Sequence, residues 1–194
     1  MNGWIMAGIL LLTSIIAIGV DRWLYMEEKP KLLWRVIPIL LYLGAAIYLY
    51  LRFGFNAFWI RNLWILTLFL VSTAEDIRKK EVPLDFYPVF LLPALILHLA
   101  QMDWLNLVIA IAVYAVFYLV ARYSAESIGY GDVTAIALLC LLGGYQTAGL
   151  VVLMALIVAG VLGLVLLVIR RANRKTEVPF IPFLAIAYLI YLWI

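Results

Sequence analysis

Stretch after stretch of this sequence is apolar for the length that a bilayer demands, and that succession leaves few folds open. A spanning helix takes roughly 20 mostly apolar residues. Segments 3–20, 32–51, 56–74, 86–102, 104–121, 128–145, 147–169 and 178–194 each qualify, joined by short connections with no room for a soluble domain. Hydrophobic residues make up 68% of the chain and charged residues only 13%, whereas soluble domains are about half apolar and a quarter charged. The expected fold is therefore all-α, a polytopic membrane bundle of about eight helices. Arg35 and Arg61 fall inside the second and third runs.

The placement of charge sets an orientation. Arg22, Lys29, Lys31, Arg78, Lys79, Lys80, Arg122, Arg170, Arg171, Arg174 and Lys175 fall in alternate connections, and the other set holds only Arg52 and Arg61. Basic loops are retained on the cytoplasmic side, so both termini are expected outside. The net charge of +3 thus reflects orientation and does not point to nucleic acid. No Lys or Arg precedes the first run, which reads as a retained helix and not a cleaved signal. Trp4, Trp23, Trp59, Trp104, Tyr145 and Trp193 near the span ends read as an aromatic belt. Ala155, Ala159 and Gly163 form a small-residue stripe that suits ordinary helix packing.

Few side chains remain for chemistry. Cys140 is the only cysteine and His98 the only histidine, which excludes a disulfide framework and a CxxC zinc site. His98 reads as a packed or interfacial side chain. Most acids sit in loops: Asp21, Glu27, Glu28 and Glu177 on the basic side, with Asp103 capping a short outer turn. Asp132 is different. The sixth run reaches spanning length only if Gly129, Tyr130, Gly131 and Asp132 lie at or inside its boundary. A carboxylate there costs a few kcal/mol on insertion scales and faces protein or water. Gly129 and Gly131 permit a non-helical backbone and close approach of another chain just before it.

A second acid is available on the same side. The third run ends at Ala74 and is followed by Glu75, Asp76, a basic turn and Val82–Pro83. Spacing alone allows Asp76 as a solvated loop acid beside three basic residues. It equally allows a pair with Asp132, because two neighbouring carboxyls share one proton when they cannot both ionise cheaply. Such a pair hydrolyses peptides with one acid as base on water and the other as donor to the scissile carbonyl, with neither metal nor cofactor.

Three pieces in order resemble the type IV prepilin peptidase family, membrane aspartic proteases that include the archaeal preflagellin peptidases. They are "EDIRKKEVP", "GYGDVTAIALLCLLGG" and "VPFIPFLAIAYLI". The resemblance runs from the third span to the C-terminus and implies a peptidase region at 56–194, leaving 1–55 as helices without a motif. It implies Asp76 and Asp132 as the catalytic pair, Gly129 and Gly131 as the active-site loop, and no cofactor. The implied substrate is the basic leader of a prepilin-like or archaellin-like precursor, cut at the cytoplasmic face of the cell membrane. The glycines would then let the substrate backbone reach the acid. Thr134 stands where members often carry Lys, and the cysteine-bearing insert associated with N-methylation is absent, so peptidase activity alone is expected. A GxGD intramembrane protease with other substrates, a proton-coupled transporter and a non-catalytic subunit are the competing readings. The transporter lacks its usual paired broken helices.

Overall fold

The computed structural model describes residues 19, 32–79, 82, 87–101, 103–123, 128–169 and 179–194. Seven helices and no strand occur among them: α1 Leu32–Phe53, α2 Ala57–Lys79, α3 Tyr87–Gln101, α4 Trp104–Tyr123, α5 Tyr130–Gly143, α6 Tyr145–Val168 and α7 Ile181–Trp193. They match seven of the eight expected runs. The eighth, 3–20, lies outside the described residues apart from Gly19, as do the basic loop 170–175, Glu81 and Asp85. The molecule is an all-α membrane helix bundle.

The lengths carry information. Ala57–Ile77, Trp104–Tyr123 and Tyr145–Val168 are long and apolar enough to cross a membrane. By contrast α5 has 14 residues, a rise of about 21 Å against a hydrocarbon core of ~30 Å. It is shorter than the expected 128–145, and α7 is shorter than 178–194. The reason lies in what surrounds α5. It packs against α2, α3, α4 and α6, and Val133, Ala135, Ile136 and the whole run Leu138–Leu142 are buried. A helix apolar on every side is an interior element. An interior helix can end among protein instead of reaching the headgroups, because surrounding chain satisfies its terminal backbone groups.

The far end of α5 illustrates this. Gly144, at φ +90°, closes α5 and opens α6, a left-handed position that glycine tolerates. Buried Asn106 of α4 spans the turn: its Nδ2 donates to the Cys140 and Leu141 carbonyls at 3.3 and 3.4 Å, and its Oδ1 accepts from the Tyr145 N–H at 2.9 Å. One amide thus serves the last carbonyls of one helix and the first N–H of the next, groups every helix leaves orphaned. Asp103 caps α4, accepting from the Asn106 N–H at 3.2 Å, as expected of it.

At the same end α1, α2 and α7 are stitched together by polar groups. Arg52 donates to the Leu192 carbonyl at 2.9 Å, placing a cation where the α7 dipole is negative. Tyr188 donates to Asn62 inside the core. Trp59 corrects the aromatic-belt expectation: it is only 1% exposed, and its Nε1 donates to the Ala46 carbonyl at 3.2 Å. Its indole packs between α1 and α2, a use of the N–H that interfacial position alone does not reveal. Arg61 does not interrupt α2, which runs straight through it; its guanidinium lies over the Phe58 ring. In the small-residue stripe of α6, only Ala155 is fully buried.

Candidate active site

The opposite end of α5 is where α2 finishes and α3, α5 and α7 begin. Asp76 was expected just past a span ending at Ala74, yet α2 continues to Lys79. The residues Ala74 to Lys79 are mostly good helix formers, and no proline intervenes before Pro83. That extra turn and a half carries Asp76 inward, where it is 6% exposed. It is not a solvated loop acid.

What Asp76 touches follows from the start of α7. The first turn of a helix leaves N–H groups without intrahelical partners. Pro182 removes one of them, and Phe183 and Leu184 both donate back to the Phe180 carbonyl, at 3.0 and 3.3 Å. The remaining N–H, that of Ile181, donates to Asp76 Oδ2 at 3.1 Å. Asp76 therefore caps a helix more than a hundred residues away in sequence, at the end where the macrodipole favours an anion.

Asp132 lies in the first turn of α5, after the extended N-cap Gly129. Its carboxyl turns back toward the Gly129 N–H, the reciprocal half of a capping box. Asp76 lies close enough to act on it electrostatically, so the two acids, from separate helices, share one corner of the bundle.

Two further groups complete the corner. Tyr87 opens α3, is buried, and donates its hydroxyl to the Gly131 carbonyl at 2.9 Å. Both Asp132 and Asp76 lie within electrostatic reach of that hydroxyl. Val82 lies against Gly131, with its Cβ 2.9 Å from where a Gly131 Cβ would stand. Here the expectation for the glycines changes. Gly131 sits inside α5 with an ordinary backbone, and the chain it admits is the protein's own Val82. At Gly129 a Cβ would meet Asp132 Oδ2 at 3.4 Å, an ordinary contact. Thr134, in place of the common Lys, donates its hydroxyl to the Tyr130 carbonyl at 2.9 Å and stays bound to its own helix.

Tyr87, Val82 and Ile181 were not singled out as site residues from sequence. Val82 and Ile181 lie in the quoted motifs, but their partners are set by packing; the signal for Tyr87 was only a polar side chain at the mouth of an apolar run. Among the described residues, no group of three or more His, Cys, Asp or Glu side chains comes together to hold a metal. The chemistry available is that of two carboxyls, a tyrosine hydroxyl and two helix N-termini.

These features define the class: an all-helical membrane protein with two carboxyls from different helices in one partly enclosed corner. A profile of the type IV leader peptidase family matches residues 63–168, more than half of the sequence and including both acids; the chain belongs to that family. Curated relatives include proteins named prepilin leader peptidase/N-methyltransferase. That of Pseudomonas aeruginosa is 36% identical over 43% of this chain and 29% of its own length. That of Stutzerimonas stutzeri is 37% identical over 46% of this chain and 32% of its own length. That of Pseudomonas putida is 39% identical over 42% and 28% respectively. The chain thus spans about a third or less of the curated relatives it matches. No solved structure matches it.

Proposed function

We propose that the protein is a membrane aspartic endopeptidase that removes the basic leader from prepilin-like precursors at the cytoplasmic face of the cell membrane, with Asp76 and Asp132 as its catalytic pair. The observation that carries this reading is the meeting of the two acids at one end of α5, both inside the stretch shared with the family. Residues 56–194 are taken as the peptidase region.

The chemistry follows from one proton held between two carboxyls. The ionised acid takes a proton from water, whose oxygen attacks the scissile carbonyl carbon. The protonated acid gives its proton to the carbonyl oxygen, forming a tetrahedral diol. Collapse of the diol breaks the C–N bond, and a proton passes from the pair to the departing amine. The Ile181 N–H holds Asp76 and the Gly129 N–H addresses Asp132, so both arrive oriented, which lowers the barrier to such catalysis. The basic side of the membrane is the side on which a basic leader remains, and Arg78 and Lys79, close after Asp76 in the sequence, support that side for the acids.

The test is co-expression with prepilin-like precursors, reading product N-termini by mass spectrometry. A new N-terminus at the junction between a basic leader and its hydrophobic helix is expected. Intact precursors throughout would contradict the reading.

A further inference from the structure

We propose that Tyr87 is a positioning residue of the peptidase site, whose hydroxyl pins the first turn of α5 through the Gly131 carbonyl and so fixes where Asp132 stands relative to Asp76. This rests on the functional reading above.

The geometry has three parts. First, the hydroxyl donates to the Gly131 carbonyl at 2.9 Å, the peptide link immediately before Asp132. A hydrogen bond to that link limits rotation of the very segment that carries the acid. Second, Tyr87 is 4% exposed at the head of α3, and α3 packs against α5, so the ring is held before the hydroxyl acts. Third, the titratable groups that face it are Asp132 from α5 and Asp76 from α2. The same hydroxyl thus bonds the carbonyl just before one acid and lies within electrostatic reach of both.

The space where a Gly131 side chain would stand is filled by Val82. Tyr87 and Val82 therefore grip the same glycine, one by a hydrogen bond and the other by contact. Val82 follows α2 by three residues in the sequence, so the grip ties the Asp132 turn to a residue close in the chain to the helix that carries Asp76. A carboxyl pair needs this. A displacement on the order of 1 Å costs catalysis about 100-fold, and Asp132 stands in the helix turn that this grip holds.

The experiment is steady-state cleavage of a prepilin-like precursor by the purified full chain in detergent, comparing wild type with Tyr87→Phe. Phenylalanine keeps the packed ring and removes only the hydroxyl. The expected result is a kcat lower by about 10- to 100-fold, with KM and the thermal unfolding midpoint close to wild type. Replacement of Tyr87 by 3,5-difluorotyrosine keeps ring and hydroxyl and makes the hydroxyl more acidic. An ionised oxygen cannot donate to the Gly131 carbonyl, so the high-pH limb of kcat should move to lower pH while kcat on the low-pH side is retained. A merely structural tyrosine would move neither quantity. Wild-type kcat in Tyr87→Phe overturns the role; if that variant does not fold, an unmoved high-pH limb in the difluoro protein overturns it. No cleavage by the wild type would overturn the functional reading and this role with it.

Discussion

Val82 occupies the space that a side chain at Gly131 would need: its Cβ lies 2.9 Å from the position of a Gly131 Cβ. No real pair of carbons sits so close, and the obstructing atom is next to the backbone, not at a flexible tip. Gly131→Ala should therefore force Val82 away from α5, costing about 1–3 kcal/mol as overpacking does, and reduce cleavage. Val82→Ala keeps the offending Cβ and should not rescue it. Val82→Gly removes it and should restore part of the lost stability in the double variant. Thermal unfolding and cleavage of the four proteins check this.

Asp76 has two roles that substitution can separate. Asn retains an oxygen able to accept from the Ile181 N–H, whereas Ala leaves that buried donor unpaired, at about 1–3 kcal/mol. Asp76→Ala should thus unfold more easily than Asp76→Asn, although both should be inactive. Equal melting of the two in detergent would show that the cap on α7 contributes nothing.

At the other end of α5, Asn106→Ala should remove the acceptor of the Tyr145 N–H and the donor to the Cys140 and Leu141 carbonyls, the first of which keeps the Gly144 N–H. A loss of stability of about 1–3 kcal/mol is expected for the lost hydrogen bonds. That end lies about 15 Å along α5 from Asp132, so kcat of the folded fraction should be unchanged. A fall in kcat without a fall in stability would contradict this.

The pH–rate profile should be bell-shaped, with two apparent pKa values that belong to the pair and not to either acid. Chelators should leave cleavage intact. Thiol reagents should also do so, since Cys140 is buried in the half of α5 remote from the acids. A single-limbed profile, or inhibition by a chelator, would point to different chemistry.

The helices were legible because bilayer-length apolar runs are long, periodic-free signals, and seven of them reappear as helices. Their ends were less so. Nothing in the sequence of 128–145 distinguishes a helix surrounded by protein from one that meets lipid, and only the surrounded one can stop at 14 residues. The two acids could be singled out because charge is conspicuous in an apolar chain. Their surroundings could not. That Asp76 accepts from Ile181, that Val82 abuts Gly131, and that Trp59 is enclosed depend on which helices meet, which no local pattern encodes. Asn106 is the sharpest case: an ordinary polar residue near a span end, it joins three helices.

The most direct measurement of the central claim is cleavage by Asp76→Asn, Asp132→Asn and the double variant, in membranes where each protein is shown to insert. Acting as one unit, the pair predicts that either single substitution abolishes cleavage and that the double is little worse than a single, since such residues are strongly non-additive. Glu75→Gln, Glu81→Gln and Asp85→Asn should retain activity. Substantial cleavage by Asp76→Asn would contradict the account and leave Asp132 with a different partner.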